Sequence, residues 1–203
     1  MQIKIRTVVL CFLIVCAFWL WLLISDRQRL NEELIRLHVV ANSDSPEDQS
    51  IKLQVKDAVA VSLQEALKDV SEVEEAKIWI QENLLVIQKI ANEALQDAGS
   101  HDQAVVSLGR ERFDTRHYDT FSLPAGVYEA LRITIGLGEG KNWWCVAFPS
   151  LCLPATTEEF AATAVSAGFS DTLNNTLIQK DGYEVRFYLL DVIGKLENIF
   201  FEG

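Results

Sequence analysis

The sequence predicts an α+β protein: an N-terminal membrane segment, then an antiparallel helix pair packed on a small, mostly antiparallel sheet. Three observations carry this. Residues 8–24 are a run of seventeen residues without a charge, behind Lys4 and Arg6. Residues 46–98 hold two stretches with apolar side chains at helical spacing, separated by two residues. Residues 128–137 alternate with the two-residue period of a strand. Two helices against a small sheet make two layers.

The N-terminus sets the expected compartment. A basic start followed by an apolar stretch is the pattern of an export signal. At 1.5 Å per residue the run spans roughly 25 Å, just short of a bilayer core, so it serves either as signal or as anchor. Val15-Cys16-Ala17 offers small residues at cleavage-site spacing, but a cut there leaves Phe18 to Ile24 on the product. Leu13-Ile14-Val15-Cys16 has a lipobox cysteine behind bulky residues. The reading is an uncleaved or inefficiently cleaved signal over residues 1–25, with residues 8–24 able to hold the chain in the membrane. Residues 26–203 then form a single domain outside the cytoplasm.

Charge bounds the partners. The chain has 203 residues, 18 basic and 29 acidic, for a formal charge of −11. Without residues 1–24 the balance is 16 to 29, a charge of −13. Such a domain is repelled by nucleic acid, anionic lipid and anionic wall polymers, and a nucleic-acid partner is excluded. About 180 residues bury one good core, and no linker, charge block or repeat divides residues 34–190.

Leu34 to Ala41 is short, apolar and partly β-branched, and reads as a buried strand. Asn42-Ser43-Asp44 breaks it. Ser45 then stands as an N-cap, with Pro46 at the first helical position and Asp48 three residues on. Ile51, Val55, Val59 and Leu67 carry that helix to about Asp69. Ser71-Glu72-Val73-Glu74 reads as a second capping box, and Ala76, Ile80, Leu84, Ile87, Ala91 and Ala94 as one apolar face ending at Gly99. The short connection predicts an antiparallel helical hairpin.

The second half reads as largely β. Ala104 to Leu108 is a short strand, and Leu123-Pro124-Ala125-Gly126 a turn. Tyr128 to Leu137 is a half-buried strand, with Leu131, Ile133 and Ile135 on one face and Tyr128, Ala130 and Arg132 on the other. Thr157-Glu158-Glu159 opens a short helix closed by Gly168. Tyr183 to Leu190 alternates as a further strand, and Val192 to Phe200 forms a last amphipathic turn or two.

Residues 136–152 concentrate the most information. They contain paired Trp143 and Trp144, turn signals, and Cys145 and Cys152, the only cysteines outside the apolar run. Neighbouring side chains of a strand point to opposite faces, so one tryptophan covers a second surface, either a neighbouring loop or a partner. A cysteine pair in an exported domain reads as a disulfide closing a hairpin loop. Trp143, Trp144, Phe148 and Pro149 are the candidate partner contacts.

Other chemistry is weakly signalled. Gly136, Gly138 and Gly140 fit neither a dinucleotide fingerprint nor a phosphate loop, and read as a flexible hairpin turn. His38, His101 and His117 lack ligand spacing, so no metal or other cofactor is expected. Asn42 to Asp48 lacks the calcium-loop spacing and is explained by capping. Cys145 with His38 or His117 as base is the remaining catalytic alternative, that of an exported thiol-dependent or wall-modifying enzyme. Without a local activation signal, the chain is expected not to be an enzyme and to have no small-molecule substrate.

Three segments resemble one family. Leu37-His38-Val39-Val40-Ala41-Asn42-Ser43-Asp44-Ser45, then Asp48-Gln49 and Lys52-Leu53, is similar to the opening of the stage II sporulation protein R family of endospore formers. Leu123 to Leu131 and the box Asn142-Trp143-Trp144-Cys145-Val146, Phe148-Pro149, Leu151-Cys152 match in order and position. The resemblance covers about residues 26–154, with departures at Asp114, Asp119 and Ser150. It implies a signalling protein made in the forespore and exported between the two sporulation membranes. There the family triggers the mother cell's membrane-embedded aspartic protease to cut the precursor of the mother-cell sigma factor.

Overall fold

The computed structural model describes residues 2–118, 121–149, 176–178 and 185–201. The chain begins with α1 (Gln2–Glu32), long and apolar enough by length and composition to cross a membrane. It continues with β1 (Ile35–Val40), α2 (Pro46–Ala66), α3 (Val73–Glu82) and α4 (Leu84–Asp97). Then come β2 (Ala104–Phe113), β3 (Arg116–His117), β4 (Ser122–Leu123), β5 (Gly126–Ile135), β6 (Asn142–Phe148) and α5 (Val185–Phe200). The architecture is the expected α+β one, with helices packed on a mostly antiparallel sheet. The helix expected at residues 157–168 lies outside the described residues.

The sheet order is β2-β5-β1-β6. β1 runs parallel to β5, with Ile35 opposite Glu129 and Val40 opposite Thr134. β6 is antiparallel to β1, and β2 to β5. β5 is therefore an interior strand with Val127, Tyr128, Ala130, Leu131 and Ile133 all buried, not the half-buried strand its alternation predicts. On one face Leu37, Val39, Leu131 and Ile133 meet Val55, Val59 and Leu63 of α2, Ile80 of α3, and Ile87 and Leu95 of α4. The other face carries a second helical layer absent from the two-layer expectation. There Phe113, Tyr128, Ala130 and Val146 pack with Leu30 and Leu34 near the end of α1 and with Phe187 and Leu190 of α5.

Ser45 caps α2 as expected, its Oγ accepting from the Asp48 N–H at 3.0 Å, with Pro46 in the first turn. The second helix is in fact two. Asn83 leaves helical geometry: its N–H is shared between the Trp79 and Ile80 carbonyls, each at 3.1 Å, and its side chain adds a second bond to the Trp79 carbonyl at 2.8 Å. α3 starts from extended Glu72 without a side-chain cap, so the Ser71 capping box is not formed.

The segment Tyr183 to Leu190, expected as a strand, enters α5 at Val185. Phe187, Leu190 and Ile193 face the second core at three-residue intervals. Packing selects the 3.6-residue period from a stretch short enough to satisfy both patterns. Residues 136–141 are likewise not a hairpin turn, because β1 lies between β5 and β6. The loop crosses the end of β1 and is fastened to it. Gly140 N–H donates to the Ala41 carbonyl at 2.9 Å, and Lys141 N–H to Asp44 Oδ1 at 2.7 Å. Gly136 has φ 57°, and a Cβ there would overlap the Asn42 side chain.

Candidate functional site

The pairing of β1 with β5 and β6 brings the three motif-bearing segments together at the middle of the sheet. His38 lies opposite Trp144 on one side and Arg132 on the other, and Val39 lies opposite Trp143. The two tryptophans point to opposite faces, as strand geometry requires. Trp143 projects on the α2 side, 36% exposed, with the Lys56 ammonium 5.2 Å from its ring centre. Trp144 lies on the other face, stacked on His38 with centroids 3.9 Å apart and edge-on to Phe113 at 4.8 Å. The Arg116 guanidinium is 5.2 Å from the centre of the Trp144 ring.

His38 is only 4% exposed. Its Nδ1 is 2.6 Å from Glu111 Oε2, and Arg132 Nη1 is 3.3 Å from the other Glu111 oxygen. Burial pushes the Glu111 carboxyl up, but the hydrogen bond and charge of His38, then Arg132, outweigh it and hold the group below its ordinary value. His38 Nε2 is buried without a partner. A cavity of about 350 Å³ opens here, lined by His38, Glu111, Arg132 and Trp144, with Arg110, Arg112 and Phe201 at its rim.

Arg36 lies beneath this group, fully buried. Its Nε donates to the Cys145 carbonyl at 3.1 Å and its Nη2 to Tyr118 Oη at 3.1 Å. The guanidinium lies 4.3 Å from the centre of the Phe113 ring. Tyr118 Oη donates to the Trp144 carbonyl at 3.2 Å, so the β6 backbone at the tryptophans is held from below. Such a network fixes one arrangement of the strand and makes Trp143 and Trp144 a preorganised pair.

The other sequence-predicted positions divide. Phe148 is 5% exposed in the main core, and Pro149 is buried, so neither offers a free surface. Cys145 is buried on the α2 side, and Cys152 lies outside the described residues. Cys145 and His38 occupy opposite faces of the sheet, so the thiol–imidazole pair of the catalytic alternative is not formed. His117 Nδ1 instead lies 2.8 Å from Ser122 Oγ, itself buried. Among the described residues no group of three His, Cys, Asp or Glu could hold a metal. Asn42, Ser43 and Asp48 are spent on one another, Ser43 Oγ donating to Asp48 Oδ2.

Sequence reasoning missed Glu111, Arg132, Arg36 and Tyr118. Their signal is tertiary contact between segments 21 to 109 residues apart, which has no local signature. His38 stood in the first motif, and the pattern that sets Arg132 beside it is the alternation of β5.

Comparison with known proteins agrees with this picture. Residues 31–158 match the family model described as Stage II sporulation protein R. The protein named stage II sporulation protein R of Bacillus subtilis (strain 168) is 34% identical over 183 residues, covering 81% of this chain and 82% of its own length. No solved structure matches. With its motif segments assembled on three adjacent strands and its family model covering more than half the chain, this chain belongs to the stage II sporulation protein R family.

Proposed function

We propose that this chain is an exported forespore signal. It acts between the forespore and mother-cell membranes by engaging the mother cell's membrane-embedded aspartic protease, which then cuts the precursor of the mother-cell sigma factor. Family membership supplies the sporulation role, and the apolar α1 behind Lys4 and Arg6 supports export. The observation that carries the contact mode is Trp143, an exposed aromatic held on a braced strand beside Lys56. Interfaces draw most of their affinity from a few such anchors. An acidic domain gains nothing from anionic surfaces, which leaves apolar contact as the source of binding. A signal of this kind switches a protease only by favouring one of its states.

The reading as a binding protein rather than an enzyme is supported by the separation of Cys145 from His38 across the sheet. The test is reconstitution in a non-sporulating bacterial host carrying the receptor protease and the sigma-factor precursor. Precursor cleavage is expected when this chain is co-expressed and not when it is omitted. Cleavage that is equal with and without the chain would refute the proposal.

A further inference from the structure

α1 does not end where a bilayer would. The charge-free run stops at Ile24, yet Leu23 is already packed into the second core with Leu30, Leu34, Phe187 and Leu190. The buried positions Leu23, Arg27, Leu30 and Leu34 recur every three or four residues, the seam of a helix laid along a neighbour. Arg27 is 4% exposed, donating from Nη1 to Tyr128 Oη at 2.9 Å and from Nη2 to Glu197 at 2.8 Å. Tyr128 Oη donates onward to the Pro124 carbonyl at 2.8 Å. Gly126 leaves the space the guanidinium fills, since a Cβ there would overlap it. A disposable leader has no need of a hole built for its side chain in the middle of the fold.

The direction of α5 follows from the same contacts. Glu197 meets both Asn31 and Arg27, and one turn earlier Gly194 abuts the tip of Arg27; Leu190, a further turn earlier, lies in the cluster that holds Leu23, Leu30 and Leu34. α5 therefore runs parallel to α1, and its first turns lie level with Leu20 to Leu23, which the charge-free run assigns to the bilayer. At that level α5 exposes Tyr188 and Leu189, and α1 exposes Trp19 and Trp21. Tyrosine and tryptophan with one apolar and one polar end suit the headgroup layer.

We propose that α1 from Trp19 onward is retained in the mature protein and that the domain is seated directly on the bilayer. Tyr188 and Leu189 of α5 then lie in the interfacial layer beside Trp19 and Trp21. The signal is thus presented at a fixed height and orientation rather than on a flexible tether. This is independent of what the receptor is.

The test uses the full chain with Cys11→Ser and Cys16→Ser in phosphatidylcholine vesicles. It carries an environment-sensitive fluorophore at Leu189→Cys, at Tyr188→Cys as a second position, or at Leu137→Cys on the opposite end of β5. The parent without an added cysteine is the blank, and an unchanged melting temperature confirms that each labelled chain is folded. With acyl-chain-brominated phosphatidylcholine, the fluorophore at 189 or 188 is expected to be blue-shifted and to lose most of its intensity, while that at 137 is unaffected. N-terminal sequencing of the chain after export from a bacterial host is expected to start at or before Trp19. A fluorophore at both 188 and 189 that behaves like that at 137, or a mature chain starting beyond Trp19, overturns the proposal.

Discussion

Trp143 and Trp144 are adjacent in sequence and do different physical work, because a strand turns alternate side chains to opposite faces. Trp144 is a structural residue: it stacks on His38, meets Phe113 edge-on and lies under Arg116. Trp144→Ala is expected to cost about 2–3 kcal/mol, lowering Tm by roughly 5–10 °C by thermal melting. Trp143 makes one cation–π contact, worth about 0.5–1 kcal/mol at an exposed site, so Trp143→Ala should leave Tm within a few degrees. In the reconstituted host, however, it should lose most precursor cleavage, in line with an anchor worth about 2 kcal/mol. Full cleavage by Trp143→Ala would move the receptor contact elsewhere. Glu33 makes a separate prediction. Burial, then Glu32 and Glu72, push its carboxyl up to about 7 against the pull of Arg29, and its Oε2 is buried without a partner. A raised carboxyl favours the fold fully below the ordinary 4.5 and loses that contribution as pH rises through about 7. Denaturant melts should therefore show stability falling across this window, and Glu33→Gln should flatten that fall; an unchanged slope would contradict the assignment.

Among the elements, those with local signals were legible in the sequence. α2 was readable because Ser45 and Pro46 mark its start and a regular apolar stripe marks its face. β1 and β5 were readable from run length and alternation. α5 was not, because eight residues with a mixed pattern fit both periods until Leu30, Tyr128 and Phe113 supply a surface for one of them. The break at Asn83 was hidden because the apolar stripe passes through it, while the added bond to the Trp79 carbonyl is made by a single side chain. The 136–141 loop reads as a hairpin from sequence, since local turn residues say nothing of a third strand inserting between β5 and β6. The candidate site shows the same division. Trp143 and Trp144 stood out by type, whereas Glu111 and Arg132 join His38 only through register. The end of β6 carries one further prediction. A Cys145–Cys152 bridge would close a small loop and contribute about 2 kcal/mol. Alkylation of denatured, unreduced protein should leave both thiols unmodified; modification of both would remove the bridge.

For the whole molecule, composition and the N-terminus point to the broad class, an acidic α+β domain behind an apolar N-terminal helix. One face of the sheet is filled by α2, α3 and α4, and the other is shared by α1 and α5, so the apolar N-terminal helix and the domain are one packed unit. The surface proposed to meet the receptor lies at β6 and the open end of the second face. The central claim is that the chain signals from outside the cytoplasm of the cell that makes it, and it can be tested without altering the folded domain. Ile14→Arg with Phe18→Arg places two charges in the charge-free run, each costing about 2.5–3.5 kcal/mol at the centre of a membrane helix, and leaves the Leu23 to Leu34 seam intact. The decisive measurement is the fraction of sigma-factor precursor cut in the reconstituted host by the native chain and by this retained variant, at matched protein levels. The account predicts cleavage with the native chain and none above background with the variant. Equal cleavage by the two would contradict it.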